Sequence, residues 1–104
     1  MQFERNGHND IDNPTEVQLL KGLEDLGNHY DDFAILAIDN MTYLQVANGD
    51  EDGFILEYQN GSLAEHYIAE NTDIPEEDIL RAFVSYLKGD NAWKEAFEWE
   101  KMEM

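Results

Sequence analysis

Residues 33–69 alternate apolar and polar side chains in short runs broken by turn residues, and that pattern commits the chain to antiparallel sheet. The clearest run is Phe54-Ile-Leu-Glu-Tyr-Gln-Asn-Gly-Ser-Leu-Ala-Glu-His-Tyr-Ile68. Asn60-Gly61 is the preferred pair for a two-residue type I′ turn, because both central residues need positive φ. Such a turn sets Gln59 opposite Ser62, Tyr58 opposite Leu63, Leu56 opposite Glu65 and Phe54 opposite Tyr67. Upstream, Asp39-Asn40 makes a similar turn between strands over 33–38 and 41–47. Ile35 then faces Leu44, and Phe33 faces Val46. The expectation is a four-stranded meander.

Strand side chains alternate across a sheet, so two faces follow. Phe33, Ile35 and Ala37 share the expected core face with Leu44, Val46, Phe54, Leu56, Tyr58, Leu63 and Tyr67. Leu36, Ile38, Tyr43, Gln45, Ile55, Glu57, Ala64, His66 and Ile68 fall on the other. That second face is too polar for a deep core and too apolar for an ordinary solvated surface. Exposed patches of this kind mark interaction sites. Tyr43, Gln45, Ile55, Glu57, His66 and Ile68 are therefore the candidate partner-binding residues, for another protein or for a second copy of the chain.

The flanking segments supply helices. Residues 1–12 are polar and read as a loose arm, with a short strand at 2–5. Asn13-Pro-Thr-Glu16 opens a helix over 14–26, with Asn as cap, Pro at the first position and Glu completing a capping box. Leu19, Leu20, Leu23 and Leu26 form its apolar stripe, and Gly27 stops it. Asp73-Ile-Pro-Glu76 repeats the opening pattern before a helix over 75–88, which carries Ile79, Leu80, Phe83, Val84 and Leu87 on one side. Acids crowd its first turn and Lys88 its last, as the helix dipole prefers, and Gly89 ends it. A turn around Trp93 and a strand over 97–102 follow, with Trp93, Phe97 and Trp99 expected in the core. At 104 residues this amounts to one domain of two packed layers. The predicted class is α+β: a four- or five-stranded antiparallel meander sheet with two helices packed on one face.

Composition narrows the function classes. The chain has no cysteine, hence no disulfide, thiolate nucleophile or zinc–thiolate site. The start, Met1-Gln-Phe-Glu-Arg-Asn-Gly7, lacks the apolar core of a secretory signal, and no apolar run approaches the roughly 18 residues that span a bilayer. A cytoplasmic protein is expected. There are 24 acidic residues against 6 basic ones, for a net charge of −18. That field repels nucleic acid and anionic membrane and steers cationic proteins inward. Arg5, Lys21, Arg81, Lys88, Lys94 and Lys101 form no basic cluster, so direct nucleic-acid binding is not expected.

Catalytic material is scarce. Ser62 falls in a hairpin turn and Ser85 on a helix, neither in a nucleophile-elbow context. His8, His29 and His66 lack metal-ligand spacing. His66 falls beside Glu57, a pair that a small hydrolase could use for acid–base work. The expectation is nonetheless a protein that is no enzyme and takes no cofactor or metal. Asn48-Gly-Asp-Glu-Asp-Gly53 matches the first six positions of a calcium loop, but the twelfth is Gln59 instead of Glu and the flanks read as strands. The bland alternative is an acidic turn. Asp50, Glu51 and Asp52 are placed at the edge of the partner-binding surface, where exposed acids accelerate capture of a basic protein.

Several pieces resemble a family of small bacterial immunity proteins from polymorphic toxin systems, often encoded beside nucleic-acid deaminase toxins. They are Tyr43-Leu-Gln-Val, Gly53-Phe-Ile-Leu-Glu-Tyr, His66-Tyr, the helix Ile79-Leu-Arg-Ala-Phe-Val-Ser-Tyr-Leu, and Phe97-Glu-Trp-Glu. The resemblance implies an α+β fold and a protein that binds and neutralises one cognate basic toxin. An acidic DNA mimic or adaptor on a basic nucleic-acid-binding protein is the alternative.

Overall fold

The computed structural model describes residues 1–24, 26, 32–49 and 53–102. Seven antiparallel strands form one sheet: β1 Gln2–Arg5, β2 Ile11–Asp12, β3 Phe33–Asp39, β4 Thr42–Asn48, β5 Phe54–Asn60, β6 His66–Ala69 and β7 Trp99–Lys101. Their order across the sheet is β2-β1-β3-β4-β5-β6-β7. The helices are α1 Glu16–Glu24, α2 Glu76–Lys88 and the single turn α3 Ala92–Glu95, beside a 3-10 turn at Leu63–Glu65. The α+β class is as expected, but four or five strands understates the sheet.

The N-terminal residues account for the difference. The strand expected at 2–5 forms, but instead of belonging to a loose arm it pairs along β3, Phe3 opposite Leu36 and Glu4 opposite Ile35. Phe3 is fully buried. A Cβ added to Gly22 of α1 would stand 2.6 Å from its ring, so the helix seats on Phe3 only because position 22 is glycine.

The Asp39-Asn40 turn is displaced by one residue, with a consequence for the whole of β3. Asp39 pairs with Thr42, and its Oδ1 accepts from the Met41 amide at 2.8 Å. A bulge between Ala37 and Asp39 then sets Leu36 opposite Leu44 and Ala34 opposite Val46. A one-residue slip moves every side chain of a strand to the other face. Ala34 and Leu36 are therefore core, whereas Phe33, Ile35 and Ala37, expected inside, lie on the opposite face.

The Asn60-Gly61 connection also differs. Gly61 has φ +88, but Asn60 does not enter the positive region that a type I′ turn needs. The chain runs on through the 3-10 turn, so Tyr58 pairs with Tyr67 and Gln59 with His66. This shift is an even number of residues, so the faces of β5 and β6 survive it. Leu63, expected in the core, is 55% exposed.

Both long helices pack on one face. Leu19 and Leu23 of α1 and Ile79, Ala82 and Phe83 of α2 join Leu36, Leu44, Val46 and Leu56 in a single core. The α1 cap is two residues later than expected: the Gln18 amide donates to Thr15 Oγ1 and the Thr15 amide to Gln18 Oε1. Asn13 instead accepts from the Met1 amine, in a left-handed conformation at φ 51. No side chain caps α2, whose N-cap is Pro75, so the second expected capping box does not form. Gly89 ends α2 at φ 81, as expected from the sequence. Trp93 and Trp99 stand edge-on to the Tyr58 ring at 4.9 and 4.7 Å, partly buried at the margin of the core.

Tyr86 yields a pH prediction. Its hydroxyl is buried and has no hydrogen-bond partner among the described residues. Burial first, and the Asp39 charge second, push its pKa up to about 12. An unfolded tyrosine titrates near 10. Between roughly pH 10 and 12 the unfolded chain has lost a proton that the folded chain keeps, so stability falls as pH rises. The contribution is complete below about pH 10 and gone above about 12. Tyr86→Phe should hold or slightly raise stability at pH 7, because it deletes an unpaired polar atom. At pH 11 it should exceed the wild type by about 1 kcal/mol more than at pH 7. Urea melts at the two pH values check this, and an identical alkaline loss in both proteins contradicts it.

Candidate functional site: an open acidic sheet face

Antiparallel partners share a face, so the pairings spell out rows of side chains across the sheet. On the face away from the helices, one row runs Glu4–Ile35–Gln45–Glu57–Ile68–Glu100. The next runs Gln2–Ala37–Tyr43–Gln59–His66. A third brings Phe33, Ala47 and Ile55 together. In the first row the carboxylates of Glu4, Glu57 and Glu100 are interleaved with Ile35, Gln45 and Ile68, and none of the three rows contains a lysine or arginine.

All six cations lie on the other side. Arg5 shares the core-side row of Ala34, Val46 and Leu56, with its guanidinium 5.5 Å from the Phe3 ring centre. Lys21 is on α1, and Arg81 and Lys88 are on α2. Lys94 reaches over the Tyr58 ring, and Lys101 follows Tyr67 onto the helix side, where it meets Glu65. The isolated residues of the sequence thus become a segregated charge pattern: cations with the helices, acids alone on the open sheet.

A polar network stiffens the middle of this face. Gln59 Nε2 donates to the Met41 carbonyl at 3.1 Å, which turns the amide oxygen towards His66 and Tyr43. His66 Nδ1 lies 3.0 Å from that oxygen and so carries the hydrogen, while the Tyr43 hydroxyl approaches it at 3.4 Å. His66 Nε2 faces Glu57 Oε1 at 3.6 Å, and Gln45 Nε2 donates to Glu57 Oε2 at 3.4 Å. Burial, and then the Glu57 charge, raise the Tyr43 pKa and keep its hydroxyl a neutral donor.

Tyr43, Gln45, Glu57 and His66 are thus brought together, with Ile68 beside Glu57 and Ile55 one row away. Tyr43, Gln45, Ile55, Glu57 and Ile68 are half-buried, but His66, expected to be accessible, is 6% exposed. Its Nδ1 is turned to Gln59 and its Nε2 to Glu57. Asp50, Glu51 and Asp52, with the calcium-loop pattern they complete, lie outside the described residues. Leu36, expected on this face, is in the core. Sequence reasoning missed Glu4 and Gln2, assigned to an arm, and Ile35, assigned to the core. The strand expected at 2–5 was the available signal, since it puts Gln2 and Glu4 on one face. Among the described residues no helix is long and apolar enough to cross a membrane. The chain matches no protein-family model, no curated protein and no solved structure.

Proposed function

We propose that this chain is an immunity protein that binds and neutralises a cognate bacterial toxin domain, one that acts on nucleic acid and is correspondingly basic. The observation that carries the reading is the open sheet face, where Glu4, Glu57 and Glu100 stand among apolar and neutral side chains and, among the described residues, no lysine or arginine is present. A groove built for polyanionic substrate presents lysines and arginines, and an acid-only surface complements it. The isoleucines supply the desolvated contacts that slow dissociation, and the net charge of −18 speeds the encounter. A second copy is a poorer occupant, because pairing two such faces opposes like charges. Inhibition by binding needs no catalytic group. An acidic adaptor on a basic nucleic-acid-binding protein would use the same surface. Survival separates the two readings. Cells expressing the toxin domain encoded by the neighbouring gene should grow when this chain is co-expressed. Continued killing at equal expression would count against an immunity role.

A further inference from the structure

We propose, building on the basic-partner reading, that the open face contains a pocket for one arginine side chain of the partner, running along β3. A depression of about 380 Å3 lies there. Its floor is Ile35 and Ala37, its β1 wall Gln2 and Glu4, and its β4 wall Tyr43 and Gln45. Neighbouring strands stand about 4.8 Å apart, so the two walls are separated by roughly 10 Å, the width of a side chain between them. Depth comes from Ala37, a small residue whose partners on either side, Gln2 and Tyr43, are long.

The chemistry selects the occupant. The floor is apolar and suits a methylene stem. Glu4 on one wall is a carboxylate, Gln2 and Gln45 bring amide oxygens on either side, and among the described residues no cation lines the depression. Acceptors therefore stand on both walls, beside the Tyr43 ring. A planar guanidinium with five donors uses both walls and stacks on an aromatic ring, whereas an ammonium concentrates its charge at one point.

The test uses labelled protein and two blocked tripeptide amides, Gly-Arg-Gly and Gly-Lys-Gly, in NMR titrations. The arginine peptide should give saturable shifts confined to β1, β3 and β4. The lysine peptide should bind at least about threefold more weakly, as expected where planar recognition matters. Ala37→Leu, which fills the floor, and Glu4→Gln, which removes a wall charge without changing shape, should each abolish or strongly weaken the arginine shifts. Equal binding of both peptides, shifts scattered over the acidic surface, or indifference to both substitutions overturns the pocket. No toxin enters this experiment, so the pocket can fail while co-expression still protects cells, and the reverse.

Discussion

Truncating Phe3 to alanine is expected to cost about 3–5 kcal/mol, the range for a fully buried aromatic. The effect is large because the ring serves two elements. It is opposite Leu36 in the sheet, and it occupies the space above Gly22 against which α1 is seated. The cavity left between β1 and α1 is bounded by paired backbone and closes poorly, which puts the cost at the upper part of the range. Tyr43→Ala, on the open face, removes no core contact and should cost less than about 1.5 kcal/mol. Denaturant melts of the two variants make the comparison. A loss for Phe3→Ala no larger than for Tyr43→Ala would mean that residues 1–12 are the loose arm that their composition suggests.

The second large effect concerns charge on the open face. Glu4→Lys, Glu57→Lys and Glu100→Lys together should weaken binding of the cognate toxin domain at least about 100-fold, since charges facing a basic partner become repulsive. The matched control places the same charge change on the helices, as Glu24→Lys, Glu77→Lys and Glu95→Lys. It should weaken binding less than about fivefold and act through the on-rate, because it alters only the long-range field. Raising ionic strength shortens the screening length and should compress the control effect further, while contact charges are screened less. Equal losses for the two triple variants would mean that the net charge matters and the face does not.

How far the sequence reaches is set by which features local chemistry determines. Alternation over residues 54–60 fixed the face of β5, and the glycine at 89 marked the end of α2. The mixed character of Tyr43, Gln45, Glu57 and Ile68 was legible because their strands kept the parity expected of them. Parity failed in β3, where the bulge before Asp39 slipped the strand by one residue. A bulge adds no distinctive residue to the sequence, since Ile38 is as good a strand former as its neighbours. A strand over 2–5 was legible, but its place in the sheet was not. Phe3 is a lone aromatic in a polar stretch, and only the long-range pairing with β3 reveals it as core. Both errors concealed the same place, because Gln2, Glu4, Ile35 and Ala37 together bound the depression on the open face. The acid row itself depends on five strand pairings, and spacing along the chain does not announce it.

The proposed cationic partner is expected on the sheet and not on the helices. Methyl NMR of the complex tests this most directly, because isoleucines mark one side and a separate apolar group marks the other. On addition of the toxin domain, the methyl signals of Ile35, Ile55 and Ile68 should shift or broaden. Those of Leu20, Leu80 and Val84, which border the outer groove between α1 and α2, should stay in place. Perturbation of Leu20, Leu80 and Val84 with Ile35, Ile55 and Ile68 unmoved would contradict the account.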